Sequence, residues 1–236
     1  MCDTCGCQLH DHHRHDTRVV EVNRSLLEAN QQQAKANRRH IEQMGAVAIN
    51  LISSPGSGKT TLLERTIDAL KDRVRIGVIE GDIETERDAD RIRAKGLPAV
   101  QLTTGGACHL DAPLVHGGLH VLEHFGHGQG FDLIFIENVG NLVCPATFDL
   151  GEHQRVVLLS VPEGSDKPAK YPATFRSADL VLLTKTDLLA HFDFSVDEVR
   201  REALTLKPDL EIFALSATTG EGFTAWLDYL KNLLSR

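Results

Sequence analysis

From residue 45 onward, short apolar runs alternate with amphipathic stretches. The apolar runs predict strands at Val47–Ile52, Arg75–Glu80, Ala99–Thr103, Leu133–Glu137, Arg155–Ser160, Leu180–Thr184 and Glu211–Leu215. Helical periodicity falls between them, near Gly58–Lys71, Glu84–Lys95, Asp111–Phe125, Val196–Leu206 and Phe223–Leu234. Strands that are almost wholly apolar and alternate with helices imply a doubly wound α/β fold. Its sheet of about seven strands is mostly parallel and flanked by helices on both faces. Ligands in such folds bind at the carboxyl ends of the strands.

The N-terminal part reads differently. Residues 17–44 carry a narrow stripe (Val19, Val22, Leu26, Leu27) followed by Asn30-Gln31-Gln32-Gln33. This predicts a connecting helix, frayed in its second half. Residues 1–16 are rich in Cys, His and Asp and nearly devoid of apolar side chains, which predicts a flexible metal-binding tail. The remainder, 45–236, is then one nucleotide-binding domain.

Charge narrows the partners. The formal net charge of −8 and the lack of a dense Lys/Arg run argue against nucleic acid. No apolar run is long enough to span a bilayer, and no secretory leader pattern opens the chain, so a reducing cytoplasm is expected.

The chemistry follows the strands. After the first comes Ser53-Ser54-Pro55-Gly56-Ser57-Gly58-Lys59-Thr60-Thr61, a phosphate-binding loop with Ser53 in place of the first glycine. Backbone N–H groups from Gly56 to Thr61 would converge on phosphate oxygens at a helix N-terminus. Lys59 would reach the β and γ phosphates, and the Thr60 hydroxyl would bind Mg²⁺. Thr184-Lys185-Thr186-Asp187 resembles the guanine-reading N-K-x-D element. Asp187 would accept from guanine N1–H and N2–H₂, and the Lys185 stem would pack over the base. Ser216-Ala217-Thr218 resembles the S-A-K loop that contacts the guanine carbonyl. Asp82 would hold Mg²⁺ directly or through water, or cap the helix after it. Glu137-Asn138-Val139-Gly140 resembles a D-x-x-G switch, with Glu137 near Mg²⁺ and the Gly140 N–H on the γ-phosphate. Asn141 stands where a water-orienting Gln would be useful, and no arginine finger is evident. Slow GTP hydrolysis, roughly 10⁻⁴ to 10⁻² s⁻¹, is expected.

Five cysteines cannot all pair internally. Cys2, Cys5 and Cys7 cluster in the tail, whereas Cys108-His109 and Cys144 follow the third and fourth strands. Thiolate and imidazole suit Ni²⁺ and Zn²⁺. Three ligands leave a site open to completion by water, by Asp111 or by a second copy, although small buried thiols would also account for Cys108 and Cys144. His116, His120, His124 and His127 share one face of a continuous helix and form a weaker metal candidate.

At these motifs the chain resembles the HypB family of hydrogenase nickel-incorporation GTPases. The resemblance rests on Cys2-x-x-Cys5-Gly6-Cys7, Ser53–Thr60, Gly106–Asp111, Glu137–Pro145, Glu163–Pro172 and Thr184–Asp187. It implies a P-loop NTPase of the SIMIBI type, a GTP/GDP-dependent homodimer that delivers nickel to the large-subunit precursor of [NiFe] hydrogenase. It implies an N-terminal nickel site on Cys2, Cys5 and Cys7, and a second Ni/Zn site on Cys108, His109 and Cys144. The implied delivery partner is a HypA-type zinc metallochaperone. Two other classes remain, a P-loop kinase and a passive metal store or sensor. Asp187 argues against the first, and the intact Lys59, Thr60 and Asp187 against the second.

Overall fold

The computed structural model describes residues 12–82, 87–126 and 128–235, with side chains from residue 24 onward. Cys2, Cys5, Cys7, His10 and His127 lie outside the described residues.

The chain opens with α1 (His12–Gln43) and then alternates strands and helices. In order these are β1 (Val47–Ser53), α2 (Lys59–Leu70), β2 (Ile76–Asp82), α3 (Arg87–Arg93), β3 (Ala99–Thr103), α4 (Ala112–Phe125), β4 (Leu133–Glu137) and β5 (Gln154–Ser160). There follow α5 (Lys167–Lys170), α6 (Pro172–Ser177), β6 (Leu180–Thr184), α7 (Val196–Leu206), β7 (Glu211–Ala214) and α8 (Phe223–Leu234). All seven strands form one sheet in the order β3-β2-β4-β1-β5-β6-β7, and every pairing is parallel.

Alternation along β1 sends Ile49 and Leu51 into one layer and Ala48 and Ile52 into the other. The first layer packs the sheet against α2, α3 and α8, centred on fully buried Trp226, whose indole N–H donates to Thr66 of α2 at 2.9 Å. The opposite face has two cores. One lies under α1 and α4, and the other under α6 and α7. The sheet is thus covered on both sides, as the apolar character of its strands requires.

The predicted fraying of α1 is not observed. Its second half is packed, with Ala34 and Ile41 buried. Asn30, which opens the polar run that suggested fraying, and Asn37 are its anchors. Asn30 donates to the Asp149 carbonyl and accepts from the Ala112 N–H, each at 2.8 Å. Asn37 donates to the carbonyls of Ala112 (2.8 Å) and Leu150 (3.0 Å). Fully satisfied polar groups can be buried without the usual cost. Element boundaries also shift, most at two places. The helix starts at His12, inside the expected tail, and β2 runs on to include Asp82.

Candidate nucleotide and metal site

The carboxyl ends of β1, β2 and β4 meet around a cavity of about 500 Å³. Gly56, Gly58, Lys59, Thr60, Thr61, Asp82, Glu137, Gly140 and Lys185 line it. A small adjoining recess of about 70 Å³ is lined by Ser57, Gly58, Thr61, Asp187 and Ala217, among others. Gly58, Thr61 and Lys185 are common to both.

Local chemistry shapes the loop between β1 and α2. Gly56 and Gly58 have φ of 75° and 95°, a backbone that L side chains rarely adopt. Ser53, by contrast, is the last residue of β1 and needs no glycine. Its buried hydroxyl instead accepts from Lys59 Nζ at 2.9 Å and holds that ammonium at the cavity floor. Ser57 Oγ donates to Glu163 at 2.7 Å, and Glu163 also takes the N–H and hydroxyl of Ser160, so the loop is tied to the end of β5. Lys185 has φ 59°, the sole non-glycine residue with positive φ among those described, and its Nζ donates to the Gly56 carbonyl at 2.7 Å.

Two buried carboxyls face each other on neighbouring strands, because Glu80 of β2 is in register with Glu137 of β4. Burial first, and the Glu137 carboxylate second, hold the Glu80 carboxyl well above the usual carboxylate range. Burial also pushes Glu137 up to about 6, against the opposing pull of Lys59 and of Thr60, whose hydroxyl donates to it at 3.0 Å. Glu80 Oε1 and Glu137 Oε2 are buried without a hydrogen-bond partner. Two orphaned carboxylate oxygens beside a threonine hydroxyl are the hard donors that Mg²⁺ takes, so the residues present fit that ion.

The sequence reading missed Glu80. An acid closing an apolar strand was the available signal, but its pairing with Glu137 depends on sheet register. It also missed Arg91, which lines the cavity but is held by Glu64 at 2.7 Å and Asp88 at 3.0 Å. On the base side, Asp187 and Ala217 lie on the recess wall, whereas Ser216 is fully buried and serves its own loop, its Oγ accepting from the Thr219 N–H. The carbonyls of Ala217 and Thr218 are engaged by Arg65.

The switch segment continues directly into the thiols. Gly140 packs against the phosphate loop so closely that a Cβ there would stand 2.9 Å from Pro55 Cα. Beyond it, Cys108, His109 and Cys144 converge, with ligand atoms all within 4.8 Å of one another. The Cys108 and Cys144 sulfurs are 2.9 Å apart, both as free thiols, and this contact with Cys108 raises the Cys144 pKa. His109 stacks on Phe148 at 4.0 Å, and burial lowers its pKa, favouring the neutral ring that binds metals. Asp111, a possible fourth ligand in the sequence reading, caps α4 instead by accepting from Leu114 N–H at 2.9 Å. His116 and His120 of α4 do come together, at 3.3 Å, but their third neighbour is His40 of α1.

Residues 47–214 match the family model described as CobW/HypB/UreG, nucleotide-binding domain. The chain is 52% identical over 214 residues to the hydrogenase maturation factor HypB of Rhizobium leguminosarum bv. viciae, covering 89% of this chain and 70% of that protein. In structure it is similar to HypB from Helicobacter pylori in complex with nickel (TM-score 0.84, 42% identity, 88% of this chain and 95% of the other). It is also similar to the hydrogenase maturation factor HypB from Archaeoglobus fulgidus (TM-score 0.80, 40% identity, 88% and 99%).

Proposed function

The chain belongs to the HypB family of hydrogenase maturation factors, and on that premise we propose that it is a GTP-hydrolysing nickel carrier. In this reading it delivers Ni²⁺ to the large-subunit precursor of [NiFe] hydrogenase in the cytoplasm, and its nucleotide state governs both dimerisation and metal transfer. A HypA-type metallochaperone is the partner at hand-over. Among the described residues no helix is long and apolar enough to cross a membrane, which is compatible with such a role.

The carrying observation is the path between the two sites. Asn138 follows Glu137, and its side-chain oxygen accepts the Leu110 N–H at 3.1 Å, immediately after Cys108 and His109. Asn141, next to Gly140, donates to the Cys108 carbonyl at 3.4 Å. A γ-phosphate that draws the Gly140 N–H inward would therefore pull on the backbone carrying Cys108 and Cys144 together. Linkage requires the reverse, with metal at the thiols changing nucleotide affinity by the same factor.

Within the nucleotide site, Lys59 would neutralise phosphate charge and Asp187 would read the guanine edge. Thr60, Glu137 and Asp82 would hold Mg²⁺, and Glu80 joins them here. When bound, Mg²⁺ supplies charge neutralisation at the phosphates. Pinned by Glu64 and Asp88, Arg91 is not free to serve the transferring phosphoryl group, which supports slow unassisted turnover. Nickel is cargo. Cys108, His109 and Cys144 would hold it within the domain, and Cys2, Cys5 and Cys7 in the tail.

The test is titration of Ni²⁺ and Zn²⁺ into the protein with GDP and with a non-hydrolysable GTP analogue, followed by thiolate charge-transfer absorption. Two nickel sites are expected, one abolished by Cys2/Cys5/Cys7→Ser and the other shifting with nucleotide. Zinc binding alone, indifferent to nucleotide, would overturn the carrier reading.

A further inference from the structure

Three histidines meet where α1 crosses α4, away from the thiols and the nucleotide cavity. His40 comes from α1, and His116 and His120 from α4, one turn apart. One ring nitrogen from each lies within 4.8 Å of the other two. His116 Nε2 and His120 Nε2 are 3.3 Å apart, and the His40 ring centroid is 4.7 Å from that of His120. Glu123, one turn further along α4, places Oε2 3.1 Å from His40 Nε2 and 4.0 Å from His120 Nδ1.

We propose that His40, His116 and His120, with Glu123 as an oxygen donor, form an additional site for a borderline divalent cation of the Zn²⁺ or Ni²⁺ kind. Imidazole is the ligand these ions share, and carboxylate commonly completes such a set. Metal–nitrogen bonds of about 2.0–2.1 Å in a tetrahedron put neighbouring nitrogens about 3.3 Å apart, which is the His116–His120 spacing. An accidental cluster of histidines on a solvated helix would not converge on a second element. Here His40 is largely covered, its side chain 14% exposed. His116 Nδ1 is buried without a hydrogen-bond partner. Asn30 and Asn37 clamp α1 to the start of α4, so the three rings approach one another on a fixed frame. Occupancy would join α1, which leads from the tail, to the helix that begins just after Cys108 and His109. The site depends neither on nucleotide nor on the thiols.

The test uses the full chain with all five cysteines changed to Ser and His10, His12, His13 and His15 changed to Gln, probed with Co²⁺ and Zn²⁺. One equivalent of Co²⁺ is expected, with d–d absorption but no thiolate charge-transfer band. One equivalent of Zn²⁺ should raise the Tm. Both effects should disappear with His40→Gln/His116→Gln and persist with His124→Gln. Because His40 and His116 pack between helices, the exposed His120→Gln provides a second variant. It should weaken Co²⁺ binding at least about tenfold, since loss of even a group that orients a ligand costs that much, while leaving the metal-free Tm unchanged. Absence of Co²⁺ binding in the parent chain, or an undiminished equivalent after His40→Gln/His116→Gln or His120→Gln, overturns the site.

Discussion

The side-chain oxygen of Asn138 accepts the backbone N–H of Leu110 at 3.1 Å, and its amide donates to Asn50 Oδ1 at 3.3 Å. One buried asparagine therefore joins the end of β4 to the loop carrying Cys108 and His109. Asn138→Ala leaves the Leu110 N–H unpaired at an expected cost of about 1–3 kcal/mol in stability. If the residue transmits nucleotide state, metal affinity measured with GDP and with a GTP analogue should converge in this variant while both ligands still bind.

Gly140 is limited by space. A methyl group there meets the Pro55 backbone, so Gly140→Ala should cost about 1–3 kcal/mol as overpacking. Nucleotide affinity should fall more than the Tm suggests, because the displaced element is the phosphate loop. Parallel calorimetry of unfolding and of GDP binding separates the two effects.

Asp187→Asn should reverse base preference. The carboxylate would accept two guanine protons, and charge-assisted hydrogen bonds are worth about 1.5–3 kcal/mol each. A loss of roughly 10²-fold or more in GTP affinity is expected, with recovery on xanthosine triphosphate, whose C2 oxygen accepts from the new amide. Fluorescent-nucleotide competition measures both. Equal loss for the two nucleotides would remove Asp187 from base reading.

The Glu80–Glu137 pair makes stability depend on pH. Both carboxyls have folded-state pKa values raised above 4.5, Glu137 to about 6. The folded chain thus holds protons that the unfolded chain has released, and stability falls as pH rises through that window. For Glu137 alone the shift corresponds to about 2 kcal/mol. Urea midpoints of the metal-free, nucleotide-free protein should fall from about pH 5 to about pH 8. Glu80→Gln should flatten that slope, and Mg²⁺ with nucleotide should oppose it.

What could be read from sequence was whatever is local in the chain. Lys59 and Thr60 follow a strand at fixed spacing, and Cys108, His109 and Cys144 lie in the loops after β3 and β4, so strand order alone places them at one edge of a parallel sheet. Glu80 and Arg91 depend on register and on which way α3 faces, neither of which is encoded in adjacent residues. The same limit hid His40, whose partners belong to another helix. The reading of α1 erred for a different reason. The polar run Asn30-Gln31-Gln32-Gln33 suggests exposure, whereas Asn30 is buried and hydrogen-bonded to the Asp149 carbonyl and the Ala112 N–H, and Asn37, further along α1, is buried and donates to the carbonyls of Ala112 and Leu150. The Ser216 side chain holds together the turn that presents Ala217, a role that likeness to the S-A-K loop does not reveal.

The strand order has a consequence for how the chain comes to exist. β4 is made after β1, β2 and β3 but lies between β1 and β2. Until Leu133–Glu137 has emerged, the neighbouring edges of β1 and β2 have no native partner and are open to mispairing. The central rung closes contacts that are distant in sequence, the slow kind. The chamber for phosphate does not exist before that insertion, because Glu137 and Gly140 form its far wall. Completion of the nucleotide chamber therefore waits on segments made late, β4 first and then Lys185 after β6.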